Sequence, residues 1–304
     1  MLDIKRKAIV GTIGAIAGLS ATGSAHADAY AFARNQITGF AITSTAAFSF
    51  IGTATRDTIT SAQFSGFPVA GDTDPVNLGN ASNALQATSG PGPFPAENTF
   101  AQSVGIIGTR GDAFVSAGSP FGVGGVANGN NVAEGRALSG SGQSGASAGR
   151  STADAAIRVT TGGTFTFSFT DSILLRAEAD LAGETANASI ANEFSIINGA
   201  TGLVAYRFAP NGFLDAGETS DPFSLQQGCG SNSGIPVGGC LIGASSGFFS
   251  GTSGFLSAGD YSITVRSASQ ENVLTQRRIP EPTSLLLASA ALLGLGIARR
   301  RNSA

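Results

Sequence analysis

The chain has 304 residues, with 17 Lys and Arg residues against 20 Asp and Glu residues, so its formal net charge at pH 7 is −3. It contains 43 glycines, one histidine, one methionine and no tryptophan. Proteins that hold a nucleic-acid backbone do so with a surplus of basic residues. Nucleic acid is therefore not an expected partner of this acidic chain.

The first 27 residues have the three-part pattern of a secretory signal peptide. Residues 5–7 are basic, residues 8–19 form an apolar run, and Ala25 and Ala27 fit the small-x-small site of signal peptidase. The alternative, a transmembrane anchor, needs roughly 20 apolar residues, and this run is shorter. We therefore predict an N-terminal signal helix within residues 1–27, which engages the Sec machinery and is removed by signal peptidase.

Removal of the signal would leave a body without imidazole or lysine side chains. The single histidine is His26, and the lysines are Lys5 and Lys7. Their absence excludes Ser-His-Asp and Cys-His catalysis, His-ligated metal sites, Schiff-base lysines and P-loop nucleotide sites. Subtracting the +2 of residues 1–27 (three basic, one acidic) and the +3 of Arg299–Arg301 from −3 leaves −8 for the body. We predict a non-enzymatic protein without a cofactor.

Residues 28–278 are expected to form one exported, β-rich domain. Alternating stretches such as Phe48-Ser49-Phe50, within residues 29–63, are typical of strands with one buried face. Residues 66–150 are rich in Gly, Ser and Asn, which predicts that turns and loops dominate, with short strands between them. Within this part, residues 139–149 are expected to be a flexible, exposed linker.

The alternation of apolar and polar residues becomes stronger from Ile157 onward. A Thr-Gly-Gly break at 161–163 is followed by Phe at every second position of 165–169, which predicts a hairpin. Further strands are predicted at 173–181, 186–197, 203–208 and 261–265, with a second hairpin turn at 198–202. This spacing predicts an all-β fold, an antiparallel β-sandwich with Gly-rich loops.

Cys229 and Cys240 are the only cysteines. Both lie in the part that is predicted to be exported to an oxidising compartment, so we predict one disulfide that pins the loop between them. Loop-entropy reasoning gives it about 2–3 kcal/mol of stabilisation. A catalytic cysteine would lack a histidine to activate it, and two cysteines alone do not complete a zinc site.

Acidic side chains cluster in two loops. Asp215, Glu218 and Asp221 lie within ten residues of one another, and Asp72 lies close to Asp74. Such carboxylates are candidate ligands for Ca²⁺, which extracellular modules often bind weakly. The spacing does not match an EF-hand, and solvated turn residues are the preferred interpretation, so no metal is expected.

Residues 279–304 form a separate C-terminal segment with three parts. Pro280-Glu281-Pro282 precedes an apolar stretch at 285–298, and Arg299, Arg300 and Arg301 follow it. As a helix, these 14 apolar residues extend about 21 Å, short for a hydrocarbon core of ~30 Å. The arginines would stay in the cytoplasm and leave the body outside. A plain C-terminal anchor is the alternative to a sorting signal.

The order and spacing of these parts resemble the PEP-CTERM sorting signal of Gram-negative bacteria. The resemblance covers about the last 25 residues. It implies that a membrane-embedded transpeptidase-like enzyme, exosortase, recognises Pro280, Glu281 and Pro282 and releases or transfers the body. The protein would then be held transiently in the inner membrane by a short transmembrane helix at 285–298 before it reaches the outer surface or the medium.

A second, weaker resemblance concerns Gly183-Glu184-Thr185-Ala186. It is similar to the Glu-Asp-Ser-Ala motif of one PEP-CTERM subgroup, although only Ala186 is identical and Ser189 stands where that subgroup has glycine. A polar loop at a strand edge is the alternative.

The sequence thus predicts a non-enzymatic cell-surface or extracellular-matrix protein that exosortase sorts. The alternative is an extracellular polysaccharide-binding or polysaccharide-acting module with exopolysaccharide as its partner. Sandwiches commonly bind sugars, and paired carboxylates hydrolyse glycosides without histidine. The missing tryptophan and the placement of Tyr206 and Tyr261 in predicted strands argue against this alternative, because sugar sites usually present aromatic platforms.

Overall fold

The computed structural model describes residues 28–277, except for residues 104, 123, 182 and 233–238. This part of the chain is all-β and has no helix, so among the residues described none forms a helix that is long and apolar enough to cross a membrane. The predicted signal helix with Ala25 and Ala27, and the C-terminal segment with Pro280–Pro282 and Arg299–Arg301, lie outside the described residues.

Fifteen strands make up the domain. In chain order they are β1 (Asp28–Ser44), β2 (Ala47–Phe50), β3 (Thr55–Phe64), β4 (Ala70–Asn77), β5 (Ser82–Ser89), β6 (Gly108–Val115), β7 (Ala127–Leu138), β8 (Ser144–Thr161), β9 (Phe165–Ala179), β10 (Thr185–Asn198), β11 (Val204–Phe208), β12 (Glu218–Ser220), β13 (Gln226–Asn232), β14 (Cys240–Thr252) and β15 (Gly259–Leu274).

The strands form two antiparallel sheets that pack face to face, which confirms the predicted antiparallel β-sandwich. The first sheet has seven strands in the order β12-β14-β9-β1-β7-β6-β5. The second has eight, with the order β11-β10-β15-β8-β3-β4, and β13 and β2 pair with β10 and β8. The long strands β1, β9, β8 and β15 lie at the centres of the sheets.

An aromatic core fills one half of the space between the sheets. In β9 every second residue is buried, as the alternation predicted, and Phe165, Phe167 and Phe169 point inward. The ring of Phe169 lies 4.8 Å from that of Phe194 and 5.2 Å from that of Phe249, measured between centroids. These rings come from both sheets, so burial of the Phe face of β9 holds the sheets together.

One of the two predicted hairpins is confirmed and the other is wrong. Strands β10 and β11 pair across the turn at 198–202. The Thr-Gly-Gly break at 161–163, however, joins β8 in the second sheet to β9 in the first. The glycines are needed there because other backbone lies against them: a β-carbon on Gly162 would come within 2.8 Å of the Leu256 carbonyl oxygen, and one on Gly163 would collide with Ala46.

The Gly-rich part, 66–150, contains β4, β5, β6, β7 and the start of β8, which together make up about half of its residues. The prediction of a flexible, exposed linker is wrong for residues 144–149, which lie in β8 between β3 and β15. Gly149 faces the first sheet, where a β-carbon would lie 2.7 Å from the Val132 carbonyl oxygen and closer still to that of Asp112. Glycine here permits close approach of the sheets.

The predicted disulfide between Cys229 and Cys240 is present, with 5.4 Å between the two Cα atoms. Cys229 lies in β13 of the second sheet and Cys240 begins β14 of the first. The bond therefore does more than pin a loop, because it links the two sheets near one edge of the sandwich.

Removal of this disulfide by the double substitution Cys229→Ala and Cys240→Ala is expected to lower the free energy of unfolding by about 3 kcal/mol, since the unfolded chain regains the entropy of an open loop. Urea denaturation followed by circular dichroism measures the effect. Wild-type protein in a strong reductant is the matched control and should lose a similar amount. Equal stability of the oxidised protein and the double variant would contradict the assignment of a stabilising crosslink.

Candidate functional site

The outward face of the second sheet carries a polar surface that includes two arginines. Strand register places Arg150 of β8 opposite Ala268 of β15, and Arg266 of β15 opposite Thr152 of β8. Arg150 and Arg266 are therefore diagonal neighbours on adjacent strands, for which spacings are typically about 7–8 Å. Both side chains are exposed.

Two adjoining depressions lie on this face. The first, of about 360 Å³, is lined by Gln63, Arg150, Gln270, Asn272 and the buried Glu271, among smaller residues. The second, of about 490 Å³, shares Arg150 and Gln270 with the first and adds Arg266. We call the two together the outer groove. Ser61, Ala146, Ala148 and Ala268 also line it, and their small side chains leave the floor between the longer polar groups open.

The charges of the outer groove are unbalanced. Arg150 and Arg266 make no ion pair and no side-chain hydrogen bond with any other described residue. Glu193 lies opposite Arg266, but its Oε1 pairs with Nε of Arg207 at 3.0 Å. Three arginines thus line the groove with two glutamates, Glu193 and the buried Glu271, in a body whose net charge is negative.

These groups are suited to bind a polar, anionic ligand. A guanidinium group donates two parallel hydrogen bonds to a carboxylate or sulfate. The amides of Gln63, Gln270 and Asn272 both donate and accept, which matches the hydroxyl groups of a sugar. This site is not visible in the sequence, because the residues that form it lie on β3, β8 and β15, far apart in the chain.

The acidic residues Asp215, Glu218 and Asp221 are not brought together as a metal site. Asp221 is buried and its Oδ2 accepts hydrogen bonds from the backbone N–H groups of Asn211 (2.8 Å) and Gly212 (2.9 Å). Glu218 Oε2 accepts from the backbone of Asp215 at 2.9 Å. No three His, Cys, Asp or Glu side chains within the described part of the chain form a metal-binding group. The carboxylates of Glu218 and Asp221 accept hydrogen bonds from the backbone of their own loop and so stabilise its conformation.

Asp72 and Asp74 also accept hydrogen bonds from backbone N–H groups. Asp74 Oδ2 accepts from the backbone N–H of Asn83 at 2.6 Å, and Asp72 Oδ2 accepts from that of Leu85 at 2.7 Å. Their carboxylates therefore join the edge strand β4 to β5.

A buried glutamate, Glu271, lies between the sheets in β15 and was not predicted. It is 4% exposed, and neither carboxylate oxygen accepts a hydrogen bond from the described residues. The hydroxyl of Ser147, opposite it on β8, donates instead to the Arg110 carbonyl at 2.6 Å. A β-carbon on Gly135 of the first sheet would collide with the Glu271 carboxyl. Burial raises the pKa of Glu271 to about 8.

A chain of polar side chains connects the sheets beside the aromatic core. Asn192 Nδ2 donates to Asp171 Oδ2 at 2.7 Å, and Asn35 Nδ2 donates to Asn192 Oδ1 at 2.5 Å. Ser267 Oγ then accepts from Asn35 at 3.0 Å and from Asn131 at 2.8 Å. All are buried, and burial raises the pKa of Asp171 to about 7. Because Asp171 and Glu271 are enclosed, neither is placed to meet a substrate.

An ion pair under a loop organises the outward face of the first sheet. Arg110 Nε and Glu134 Oε2 are 2.8 Å apart and fully buried. The other guanidinium nitrogens of Arg110 donate to the carbonyls of Thr99 (2.7 Å) and Ala101 (2.6 Å), and Glu134 Oε1 accepts from the Ser103 backbone at 2.8 Å. The pair therefore fixes the loop over the sheet, and its charges are not free to bind a ligand.

The remaining residues singled out in the sequence have structural positions. Glu184 is buried in the connection between β9 and β10, where its Oε2 accepts from the Leu181 backbone at 3.2 Å. Tyr206 and Tyr261 lie in β11 and β15, as predicted, and both are buried. Neither tyrosine provides an aromatic platform for a sugar ring.

No protein-family model, no curated protein and no solved structure matches this chain.

Proposed function

We propose that the protein is a non-enzymatic cell-surface or extracellular-matrix protein that is exported and then sorted by exosortase. The observation that carries this proposal is the C-terminal order of Pro280-Glu281-Pro282, the apolar stretch 285–298 and Arg299–Arg301. The signal-peptide pattern of residues 1–27 supports it, because a disulfide-linked domain such as this one requires an oxidising compartment.

The test replaces Pro280, Glu281 and Pro282 together with alanine. Export and removal of the N-terminal signal are expected to continue, while the protein accumulates in the inner membrane with its C-terminus intact. Membrane fractionation and intact-mass measurement of the released protein give the result.

The control is the double substitution Asn302→Ala and Ser303→Ala, which changes the tail outside the motif and should leave release unchanged. Release of wild-type protein that still contains Arg299–Arg301, or normal processing of the triple-alanine variant, would refute the sorting proposal and leave the plain anchor.

A second candidate function is binding of an extracellular polysaccharide, and the outer groove favours it. The groove is polar and lined by amide and guanidinium groups, which are the groups that recognise hydroxyl and acid substituents of sugars. Saturable binding of the exported protein to exopolysaccharide from its own host, measured by co-sedimentation, is the expected result. Absence of binding would remove this second candidate and leave the first untouched.

A further inference from the structure

We propose that the outer groove binds an acidic polysaccharide, and that Arg150 and Arg266 hold its carboxylate groups. This inference rests on the second candidate function, polysaccharide binding, and adds the charge class of the glycan and the residues that select it.

The first support is the unpaired positive charge. Arg150 and Arg266 lie diagonally on adjacent strands, and no carboxylate among the described residues pairs with either of them. Like charges at this spacing repel each other. An anion between or above the two guanidinium groups would relieve this repulsion and receive charge-assisted hydrogen bonds from both.

The second support is the neutral lining beside the arginines. The side chains of Gln63, Gln270 and Asn272 point to solvent and make no side-chain hydrogen bonds with other described residues. Each amide has two donor hydrogens and an acceptor oxygen to offer. A ligand with many hydroxyl groups and a regular negative charge satisfies this combination of amide and guanidinium groups.

The shape of the groove indicates a chain and not a single sugar. The lining residues extend from Gln63 on β3 across β8 and β15 to Glu193 on β10. Three strand spacings correspond to about 14 Å. This length exceeds a single sugar ring and accommodates several linked rings.

Other polyanions fit this face less well. A peptide that binds by strand addition needs a free sheet edge, and the groove lies across the middle of the sheet. A nucleic acid needs many basic contacts, and only three arginines of the described residues line the groove. A glycan carries hydroxyl groups beside its acid groups, which matches arginines among amides.

The test uses the protein as it is released and measures its binding to polygalacturonate by isothermal titration calorimetry, with a neutral glucan of similar length and poly-L-glutamate as comparisons. The wild type should bind polygalacturonate saturably and more weakly at high salt. The double substitution Arg150→Gln and Arg266→Gln should weaken this binding at least about tenfold, roughly as expected for two charge-assisted contacts.

The matched control is Arg158→Gln, on the same face of the same strand β8. Arg158 is already paired with Asp260, with 2.7 Å between Nε and Oδ1, and it does not line the groove. This variant should bind like the wild type. Thermal melting should show that both variants keep the wild-type fold.

The outcomes separate the inference from the function on which it rests. Binding of neutral glucan without binding of polygalacturonate would overturn the charge assignment and keep the second candidate function. Binding of no glycan, host exopolysaccharide included, would overturn both. The assignment of the outer groove to an acidic polysaccharide would be overturned if Arg158→Gln weakened polygalacturonate binding as much as the double substitution does. It would also be overturned if poly-L-glutamate bound as tightly as polygalacturonate and with the same dependence on Arg150 and Arg266.

Discussion

Replacement of Gly149 with alanine is expected to lower the free energy of unfolding by about 3 kcal/mol or more, at the upper end of the cost of overpacking. A β-carbon at Gly149 would meet two backbone carbonyl oxygens of the opposite sheet, those of Asp112 and Val132. Backbone atoms of central strands cannot turn aside as a flexible side chain does, so the sheets must separate. Urea denaturation followed by circular dichroism would measure the loss.

Gly129→Ala is the matched control for this substitution. Gly129 also lies in a long strand, β7, but the nearest atoms to an added β-carbon are 4.0 Å away. Alanine at such a compatible position is expected to change stability little or to raise it by about 0.4–1 kcal/mol, because the unfolded chain loses freedom. Equal effects of the two substitutions would show that close approach of the sheets is not what requires glycine at 149.

The folded protein is expected to lose stability as the pH rises from about 5 to about 8. Burial raises the pKa of Glu271 from 4.5 to about 8 and that of Asp171 from 3.8 to about 7. Between those values the unfolded chain has released protons that the folded chain retains, so raising the pH favours unfolding. The loss of stability from each carboxyl is complete only above the pKa that this carboxyl has in the folded protein. For Glu271 alone it amounts to roughly 3–5 kcal/mol.

Glu271→Gln should remove the part of this pH dependence that is due to Glu271 and leave the part that is due to Asp171, because glutamine does not ionise. The quantity to compare is the difference in unfolding free energy between pH 5 and pH 8, since the amide also changes the stability at any single pH. Glu178→Gln, at a half-exposed carboxylate paired with Arg176, is the control and should retain the wild-type difference. An unchanged pH difference in the Glu271 variant would mean that this carboxyl is not the group responsible.

Strands with alternating apolar residues, such as β9, β10 and β11, were predictable from the sequence, but their distribution between the sheets was not. Alternation in β9 marks its buried face because each inward residue is Phe, Ile, Leu or Ala, apart from Asp171. Glycine, in contrast, has two uses that look alike in a sequence. At 198–202 it marks a hairpin turn, whereas Gly149 and Gly163 allow other backbone to approach. Only the folded pairing distinguishes these uses.

The candidate site was less predictable than the fold. Arg150 and Arg266 become neighbours only through the register of β8 with β15, and a single sequence does not contain that register. Glu271 follows Ser269 and Gln270 in a polar run, where nothing local signals burial. The disulfide was predictable because the chain has only two cysteines. The sorting signals stay predictions, since their residues lie outside the described part.

Strand β15 also determines how the domain carries mechanical load. It lies between β10 and β8 along nearly its whole length, and the chain leaves the described domain soon after its end at Leu274. Ladder hydrogen bonds lie perpendicular to the strands, so tension on the chain beyond Arg277 would act on both ladders in shear. Bonds loaded in shear break together, whereas an edge strand that is peeled away loses them one at a time. Tension applied at the C-terminal side of the domain would therefore load a central strand and not an edge strand.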